Sequence, residues 1–320
     1  RFDRFYFESE TFERGREIVL EGLANNHFFE SEGAILFPGE KYGLHNRVYL
    51  NSEGYPTYDA KELALSEMRF EEFPDLHEVI HVVGKEQTEY FKVVFEALEA
   101  LGMKGAGKEY HLPGGFLQLK GDQKMSSRTG NIITGDQLIG LVEERIAEVM
   151  KDSDVVDTET VLVRVTAAAL KYAMLKADIS KDVAFDLEES ISTSGNSGPY
   201  LLYIVARINS ILKKVGSNSS EIDWSELAVL PEEHALVMKL AEYPVVTREA
   251  TEKRDTSIIA KYLFDLAQAF NAFYAVASVS DSEGSTRGFR VQLIEQVRTV
   301  MTRGLWMLGI ETWRRCRLTY

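Results

Sequence analysis

The spacing of apolar residues changes near residue 150, and no other feature of this 320-residue chain constrains its fold as strongly. Before that point, short β-branched runs alternate with segments of helical periodicity, whereas nearly every later segment repeats with helical spacing. The polar stretch at residues 151–154 lies between two periodic segments and is typical of a domain boundary. We therefore predict an α/β domain over residues 1–150 and an all-helical domain over residues 151–320.

The clearest strand and helix of the first half lie next to each other. Residues 78–83 form an apolar, β-branched run that Gly84 closes, which predicts a buried strand. Apolar residues then recur with helical spacing from Tyr90 to Leu101, and Gly102 follows where a helix C-cap is expected. Strands and helices that alternate in this way indicate a doubly wound parallel sheet, in which ligands bind beyond the carboxyl ends of the strands.

The second half predicts a bundle of helices. Pro199 suits the first turn of one helix and Gly216 its exit. A wide apolar stripe between residues 257 and 278 indicates a helix that packs inside the bundle. The periodic segments predict helices at residues 158–177, 199–215, 231–243, 257–278 and 288–308.

Composition excludes several classes of protein. Thirty-six basic and fifty acidic residues give a net charge of −14, which excludes a uniformly basic protein that coats nucleic acid but leaves local basic patches open. The single cysteine, Cys316, permits neither an internal disulfide nor a thiolate zinc site, and this predicts a cytoplasmic protein. No apolar run approaches the ~18 residues of a membrane span. The chain opens without a signal-peptide pattern or an initiator methionine, which suggests a start within a domain.

Residues 121–131 form the segment with the most informative chemistry. Two cations, Lys124 and Arg128, and two hydroxyl groups, on Ser126 and Ser127, lie on a glycine-bounded loop after an apolar run. Such a loop offers several mobile hydrogen-bond donors to a polyphosphate. The alternative interpretation of this segment is a solvated basic loop with no ligand. Thr134 and Gln137 have the spacing of a capping box and predict that a helix begins directly after the loop.

The order Lys124, Met125, Ser126, Ser127 resembles the signature loop of class I aminoacyl-tRNA synthetases, and its extension to Arg128 is similar to the arginyl branch. The similarity to arginyl-tRNA synthetase continues over nearly the whole chain. It implies the second half of a Rossmann-type catalytic domain with the Lys-Met-Ser-Ser loop, followed by an anticodon-binding helical domain of the DALR type. Segments that follow the family pattern lie at residues 2–9, 33–34, 47–58, 82–87, 169–172 and 195–207.

The resemblance also implies a reaction and its substrates. L-Arginine would react with ATP, accompanied by Mg²⁺, to give arginyl-adenylate, and the arginyl group would pass to tRNA(Arg). Lys124 and Arg128 would offset charge on the leaving pyrophosphate, and Ser126 and Ser127 would hold the loop or the phosphates. No metal bound by the protein itself is predicted, and the full enzyme is expected to be a monomer.

Three residues would line the arginine pocket by the same resemblance: Tyr58, Glu62 and Gln87. A guanidinium group needs a carboxylate and planar acceptors, so these residue types suit it. Tyr58 and Glu62 share one helical face if residues 59–69 are helical. The family usually has aspartate at the position of Glu62. The alternatives are an exposed helix carboxylate for Glu62, and ordinary packing or helix capping for Tyr58 and Gln87.

Basic and aromatic residues in the helical half are candidates for tRNA binding. They alternate on the helix after Pro199, a pattern typical of single-stranded RNA recognition. The sequence beyond Ser285 contains seven arginines and only two glutamates, and this local excess of positive charge predicts either a phosphate contact or a solvated face. The tRNA-binding candidates are Asn196, Tyr200, Tyr203, Arg207, Lys213 and Lys214.

His77, Glu78 and His81 spell the H-E-x-x-H pattern of zinc hydrolases. That chemistry requires a helix, because only there do the two histidines share a face. On a strand they would stand ~13 Å apart. The β-branched residues between and after them favour the strand, so a metalloprotease is a remote alternative.

The sequence also departs from the family. No His-x-Gly-His motif occurs in the 320 residues, so the chain alone is predicted to be inactive in adenylate formation. Two rival hypotheses stay open at this point. One is another class I synthetase such as the cysteinyl enzyme, whose zinc site one cysteine cannot supply. The other is a non-catalytic tRNA-binding module that ignores arginine and ATP.

Overall fold

A computed structural model of the chain describes residues 2–120, 133–151, 158–216, 222–225 and 227–312. The chain divides into two compact units, Arg1–Gly114 and Gly115–Tyr320. By packing, the helix that ends at Met150 belongs to the second unit, because it lies against the helix that begins at Thr158. The functional boundary at residues 151–154 stays a prediction, since residues 152–157 lie outside the described part.

The first unit contains an antiparallel sheet, a parallel strand pair and three helices. The elements are α1 (Glu8–Ala24), β1 (Phe29–Ser31), β2 (Ala34–Phe37), β3 (Arg47–Leu50), α2 (Tyr58–Glu72), β4 (Val79–Gly84), α3 (Thr88–Ala100) and β5 (Glu109–Gly114). Strands β1, β2 and β3 form the antiparallel sheet in sequence order, and β4 and β5 pair in parallel from Val79 beside Glu109 to Gly84 beside Gly114.

The predicted strand and helix are confirmed as β4 and α3, and Gly102 has a left-handed φ of 63° just after α3. The expectation of a buried strand is only half right. His81 is buried, whereas Ile80 and Val82 on the other face are 43% and 62% exposed. Aromatic residues of α3 cover the His81 face, and among the described residues this sheet has two strands only.

The core of the first unit lies between α1, α2, α3 and the antiparallel sheet. Each of its buried residues has at most 8% of its surface exposed. Helices α1 and α2 approach closely at Gly15, where a Cβ atom would stand 2.7 Å from the Ala60 carbonyl oxygen. The largest fully buried members of this core are Phe37, Tyr49, Leu50, Leu63 and Leu98.

The second unit combines a short parallel strand pair with eight helices among its described residues. The strands β6 (Leu117–Leu119) and β7 (Val183–Phe185) pair in parallel. The helices are α4 (Gly135–Met150), α5 (Thr158–Leu175), α6 (Leu187–Ile191), α7 (Gly198–Val215), α8 (Pro231–Ala241), α9 (Tyr243–Lys253), α10 (Thr256–Val276) and α11 (Gly284–Met307).

The five predicted helices correspond to α5, α7, α8, α10 and α11. Helices α6 and α9 were not predicted. Pro244 lies in the first turn of α9, directly after the predicted helix at residues 231–243, and proline is compatible with a first helical turn. The predicted capping box is present, since the Thr134 hydroxyl accepts from the Gln137 N–H at 3.2 Å and the Gln137 side chain accepts from the Thr134 N–H at 2.9 Å.

Helix α10 lies inside the bundle, as its apolar stripe predicts. Phe270, Phe273 and Leu263 are fully buried in one core with residues of α7 and α11. Tyr274 departs from the prediction, because it lies at the edge of the stripe and is 40% exposed. Within the described ranges, no helix combines the length and apolar character that crossing a membrane requires.

Candidate active site

A cavity of about 1060 Å³ lies in the first unit, at the carboxyl end of β4. Tyr58, Glu62 and Gln87, the three residues that the family resemblance assigns to arginine, all line it. The position fits the rule that ligands of parallel sheets bind beyond the carboxyl ends of the strands. The structure therefore brings together three side chains that are up to 29 positions apart in the sequence.

Helix α2 positions two of the three residues. Thr57 precedes the helix, and its N–H and hydroxyl donate to the carbonyls of Tyr49 and Val48 at 2.9 and 2.8 Å, which ties the start of α2 to β3. Tyr58 and Glu62 are then one helical turn apart on the cavity side. Gln87 ends the short 3₁₀ turn after β4 and directly precedes α3.

The alternative interpretation of Glu62 as an exposed helix carboxylate is wrong. Its side chain is 17% exposed, and its Oε1 accepts from the Arg69 guanidinium at 3.2 Å. The Nδ1 atom of His81 lies 3.7 Å from the same oxygen. Burial raises the pKa of Glu62, while the charges of Arg69 and His81 act in the opposite direction. The Glu62 carboxyl group is thus largely desolvated at the edge of a cavity.

A second ion pair forms the neighbouring wall of the cavity. Arg47 donates to both carboxylate oxygens of Asp59, with 3.2 Å between Nη2 and Oδ2, and the Asp59 side chain is 5% exposed. The hydrogen bond to Asp59 raises the pKa of Arg47. The Arg47 guanidinium also lies 5.0 Å from the centre of the Tyr90 ring, and burial raises the pKa of Tyr90.

Sequence reasoning missed these roles of Arg47, Asp59 and Tyr90. Arg47 lies in a segment that matches the family pattern, and Asp59 directly follows Tyr58. The sequence therefore pointed to the region of both residues but assigned a function to neither. Their pairing depends on the packing of β3 against α2, which no local pattern specifies.

Behind Glu62, His81 and Glu109 form a buried pair across the parallel strands. The His81 Nε2 atom lies 2.6 Å from Glu109 Oε2, and the two side chains are 7% and 1% exposed. Potential ligand atoms of Glu62, His81 and Glu109 lie within 4.8 Å of one another. Because His81 is hydrogen-bonded to Glu109 and Glu62 to Arg69, we assign the group to a hydrogen-bonded ionic network rather than to a metal site.

The H-E-x-x-H segment does not have the geometry of a zinc hydrolase. His81 lies on β4, and His77 precedes that strand outside any helix. The His81 ring packs against Phe91, with 4.7 Å between ring centres. The two histidines therefore share no helical face, and the metalloprotease alternative is wrong.

The predicted tRNA-binding residues lie along α7 and the turn before it. Asn196 is exposed, and its side-chain oxygen accepts from the Tyr172 hydroxyl at 2.6 Å. Tyr200 is 4% exposed, and its hydroxyl accepts from Asn271 at 2.8 Å. Lys213 and Lys214 are exposed in the last turn of the helix.

Tyr203 and Arg207 form a stacked group at the surface of the bundle. The Arg207 guanidinium lies over the Tyr203 ring at 4.7 Å and near the Tyr274 ring at 5.5 Å. It also donates to the Asn271 side chain at 3.3 Å. Tyr274 and Asn271, both on α10, were not predicted as part of this group. The arrangement presents a cation and aromatic rings together, which suits stacked nucleotide bases.

The arginine-rich end of the chain is partly engaged within the protein. Arg287 donates to the Val215 carbonyl at 2.8 Å, and Arg290 pairs with the buried Glu233 at 2.6 Å. These two arginines therefore serve the bundle rather than a phosphate contact. Arg314, Arg315 and Arg317 lie outside the described residues.

The predicted phosphate-binding residues Lys124, Met125, Ser126, Ser127 and Arg128 also lie outside the described residues. Their flanks are described and agree with the predicted context. Strand β6 precedes the segment, and the capped helix α4 follows it. A loop between a parallel strand and a helix N-terminus is a common position for phosphate binding.

Two protein-family profiles match the chain. The profile for "tRNA synthetases class I (R), catalytic domain" matches residues 7–187, and that for "DALR anticodon binding domain" matches residues 201–316. The arginyl branch, rather than the cysteinyl one, is therefore the branch that matches. The match to the catalytic profile extends past residue 150 into α6.

Curated relatives agree with these profiles. The arginine–tRNA ligase of Porphyromonas gingivalis is 33% identical over 321 residues, covering 97% of this chain and 53% of the relative. That of Treponema pallidum subsp. pallidum is 33% identical over 312 residues, covering 94% and 53%. The chain spans about half the length of the curated relatives it matches.

Solved structures show the same architecture. Thermus thermophilus arginyl-tRNA synthetase superposes with a TM-score of 0.81 at 26% identity, covering 95% of this chain and 59% of that one. Plasmodium falciparum arginyl-tRNA synthetase gives a TM-score of 0.78 at 22% identity, covering 98% and 54%, and supports the fold alone. The predicted fold class, a partial Rossmann-type α/β domain followed by a helical bundle, is confirmed.

Proposed function

Because the chain belongs to the arginyl-tRNA synthetases, a family of class I aminoacyl-tRNA synthetases, we propose that the complete protein is an arginine–tRNA ligase. It activates L-arginine with ATP and transfers the arginyl group to tRNA(Arg). The observation that carries this proposal is the cavity that brings Tyr58, Glu62 and Gln87 together. A buried carboxylate with acceptors around it is the chemistry that holds a guanidinium.

Within the cavity, Glu62 accepts hydrogen bonds from the substrate guanidinium, and Tyr58 and Gln87 supply further polar contacts. Asp59 is held by two hydrogen bonds from Arg47, so it forms a fixed wall rather than a receptor. Glu62 has a single bond of 3.2 Å to Arg69 and is the more accessible carboxylate.

The chemistry has two steps. A carboxylate oxygen of arginine attacks the α-phosphorus of ATP, the bond to the β-phosphate oxygen breaks, and pyrophosphate leaves. A hydroxyl of the terminal tRNA ribose then attacks the arginyl carbonyl, and AMP leaves. Lys124 and Arg128 offset the charge of the leaving pyrophosphate, with Ser126 and Ser127 and the backbone at Met125 as hydrogen-bonding groups. Mg²⁺ accompanies ATP as part of that substrate.

The helical unit binds the tRNA in this proposal. Tyr203 and Arg207 offer stacking and charge, and Lys213 and Lys214 contact phosphates, while Asn196 and Tyr200 hold the start of α7 in place. The proposal takes the protein to act as a monomer in the cytoplasm, a reducing compartment that suits a chain with a single cysteine.

Calorimetric titration of the chain with L-arginine tests the pocket. We expect the Glu62→Gln variant to bind arginine about 10 to 150 times more weakly, because it loses a charge-assisted interaction of roughly 1.5–3 kcal/mol. The matched control is Glu71→Gln, an exposed carboxylate of the same helix, which should bind like the parent chain. Equal affinities for the two variants would contradict the assignment of Glu62.

Pyrophosphate exchange tests the enzymatic part of the proposal. We expect no ATP–pyrophosphate exchange by the 320-residue chain, because it contains no His-x-Gly-His motif. A longer chain that carries such a motif upstream should catalyse arginine-dependent exchange. A chain that binds tRNA but neither arginine nor ATP would instead favour a non-catalytic RNA-binding module.

A further inference from the structure

The network behind the arginine pocket contains more carboxyl groups than permanent cations. Glu62 and Glu109 are two carboxylates, and Arg69 is the only permanent cation paired with either of them among the described residues. The Glu109 side chain is 1% exposed, and its Oε1 accepts no hydrogen bond from any described residue. A buried site with an excess anion favours the uptake of a cation or a proton.

His81 is the group that can hold such a proton. One ring nitrogen faces each carboxylate, with Nε2 at 2.6 Å from Glu109 and Nδ1 at 3.7 Å from Glu62. Neutral imidazole has one N–H and can donate to one carboxylate, whereas imidazolium donates from both nitrogens. The geometry between two carboxylates therefore favours a shared proton while the pocket is empty.

Other groups around His81 lie on α3, β5 and α2 and at the cavity wall. On α3, Phe91 and Phe95 cover the ring, and the Tyr90 phenol carries a pKa that burial raises. On β5, His111 lies beside His81 in register and stacks on Phe91. On α2, Asp59 is already paired with Arg47, and at the cavity wall His45 contacts the same arginine.

We propose that a substrate guanidinium bound to Glu62 takes the place of the proton shared by Glu62, His81 and Glu109, so that arginine binding releases a proton to solvent. The inference rests on the proposed arginine pocket and assigns His81 and Glu109 as positioning residues behind it. The charge balances, because one guanidinium cation enters as one proton leaves. With the carboxylates of Glu62 and Glu109 and the cation of Arg69 counted, the network is neutral when it holds either the proton or the guanidinium. It has one excess negative charge when it holds neither of them.

Calorimetry of the full 320-residue chain with L-arginine tests the exchange. We expect the affinity to rise up to about tenfold per pH unit from pH ~5.5 and to level off at higher pH, because the slope equals the number of protons released. At the lower pH, the binding enthalpy should differ between two buffers of different ionisation enthalpy. L-Citrulline, which has an uncharged urea group in place of the guanidinium, controls for the α-amino and carboxyl groups and should release no proton.

Two variants remove the proposed proton site in different ways. Glu109→Gln removes one carboxyl group with little change in shape, and His81→Gln removes the ring that lies between the two carboxyl groups. Both should bind arginine with an affinity that no longer depends on pH over this range. His111→Gln removes a histidine at the matched position of the adjacent strand and should keep the pH dependence of the parent chain.

The outcomes separate this inference from the proposed function. Arginine binding without proton release, or a pH slope that persists in both Glu109→Gln and His81→Gln, overturns the exchange while the pocket stands. Loss of the slope in His111→Gln as well would also overturn it. Failure of the folded parent chain to bind arginine at any pH overturns the arginine pocket and the exchange with it.

Discussion

An ion pair inside the helical unit, between Arg290 on α11 and Glu233 on α8, is expected to be essential for the stability of that unit. The Arg290 and Glu233 side chains are 13% and 1% exposed, and Nε lies 2.6 Å from Oε1. Arg290 also donates to the Ser278 carbonyl at 2.9 Å, and the second oxygen of Glu233 accepts from the Leu230 N–H at 2.8 Å. The pair thus joins α8, α11 and the segment after α10.

The substitution Arg290→Met keeps an unbranched side chain that extends about as far as the arginine Nε, and it leaves the Glu233 carboxylate buried without its cation. Removing one partner of a buried pair costs about 3–5 kcal/mol, because the remaining charge stays desolvated. A domain of roughly 150–250 residues loses 2–4 °C of Tm per kcal/mol, so the expected drop is about 6 to 20 °C. Adding Glu233→Gln should recover part of the loss, since the amide oxygen can still accept from Leu230 while the unpaired charge disappears.

Thermal unfolding followed by circular dichroism at 222 nm measures these effects. The matched control is Arg145→Met, which breaks ion pairs with Glu148 and Glu188 on the surface, where the arginine side chain is 40% exposed. Its melting temperature should stay near that of the parent chain, because exposed ion pairs contribute little. The reasoning is refuted if Arg290→Met lowers the Tm no more than Arg145→Met does, or if the double variant is no more stable than Arg290→Met.

Three further predictions concern packing, hydrogen bonding and pH. Gly198→Ala should destabilise the helical unit by about 1–3 kcal/mol in chemical denaturation, because the added Cβ atom would stand 2.0 Å from the Ala168 carbonyl oxygen. Gly140→Ala is the control and should be neutral or stabilising, because no atom lies within 4 Å of its added Cβ atom. Tyr172→Phe should cost about 0.5–1.5 kcal/mol in the same assay, since the buried hydroxyl lies at hydrogen-bonding distance from Asn196 and the Ala260 carbonyl. The hydrogen bond from Arg14 lowers the pKa of Glu67, so its stabilisation is present above the unfolded pKa of ~4.3 and is lost as the pH falls through the folded value; melting curves from pH 7 to about 3 should show a smaller acid-induced loss for Glu67→Gln.

Local patterns predicted many elements of this fold because their causes are local. The capping box at Thr134, the proline and glycine that bracket α7, and the apolar stripe of α10 each involve residues within a few turns of one another. Helix α9 was missed because the local signal at its start is ambiguous. Pro244 is compatible both with the end of one helix and with the start of another, and only the surrounding bundle decides between them.

In the candidate site, too, some features could be predicted from the sequence and others could not. Residue types and their order predicted the arginine pocket at Tyr58, Glu62 and Gln87, and the structure places all three on one cavity. The surroundings of Glu62 could not be predicted, because Glu109 lies on another strand and reaches His81 only when β4 and β5 pair in register. The same holds for the Arg47–Asp59 wall and for Tyr274 beside Arg207.

The sequence by itself therefore determined the class of fold, the family and the chemical types that line the pocket, since these depend on periodicity and on the order of residues along the chain. Only the tertiary structure decided which carboxylates are neutralised, which arginines serve the bundle and where a histidine stands between two acids. Charge interactions and desolvation depend on distances of a few ångströms between residues far apart in sequence. Those distances are set by packing, and no local pattern encodes them.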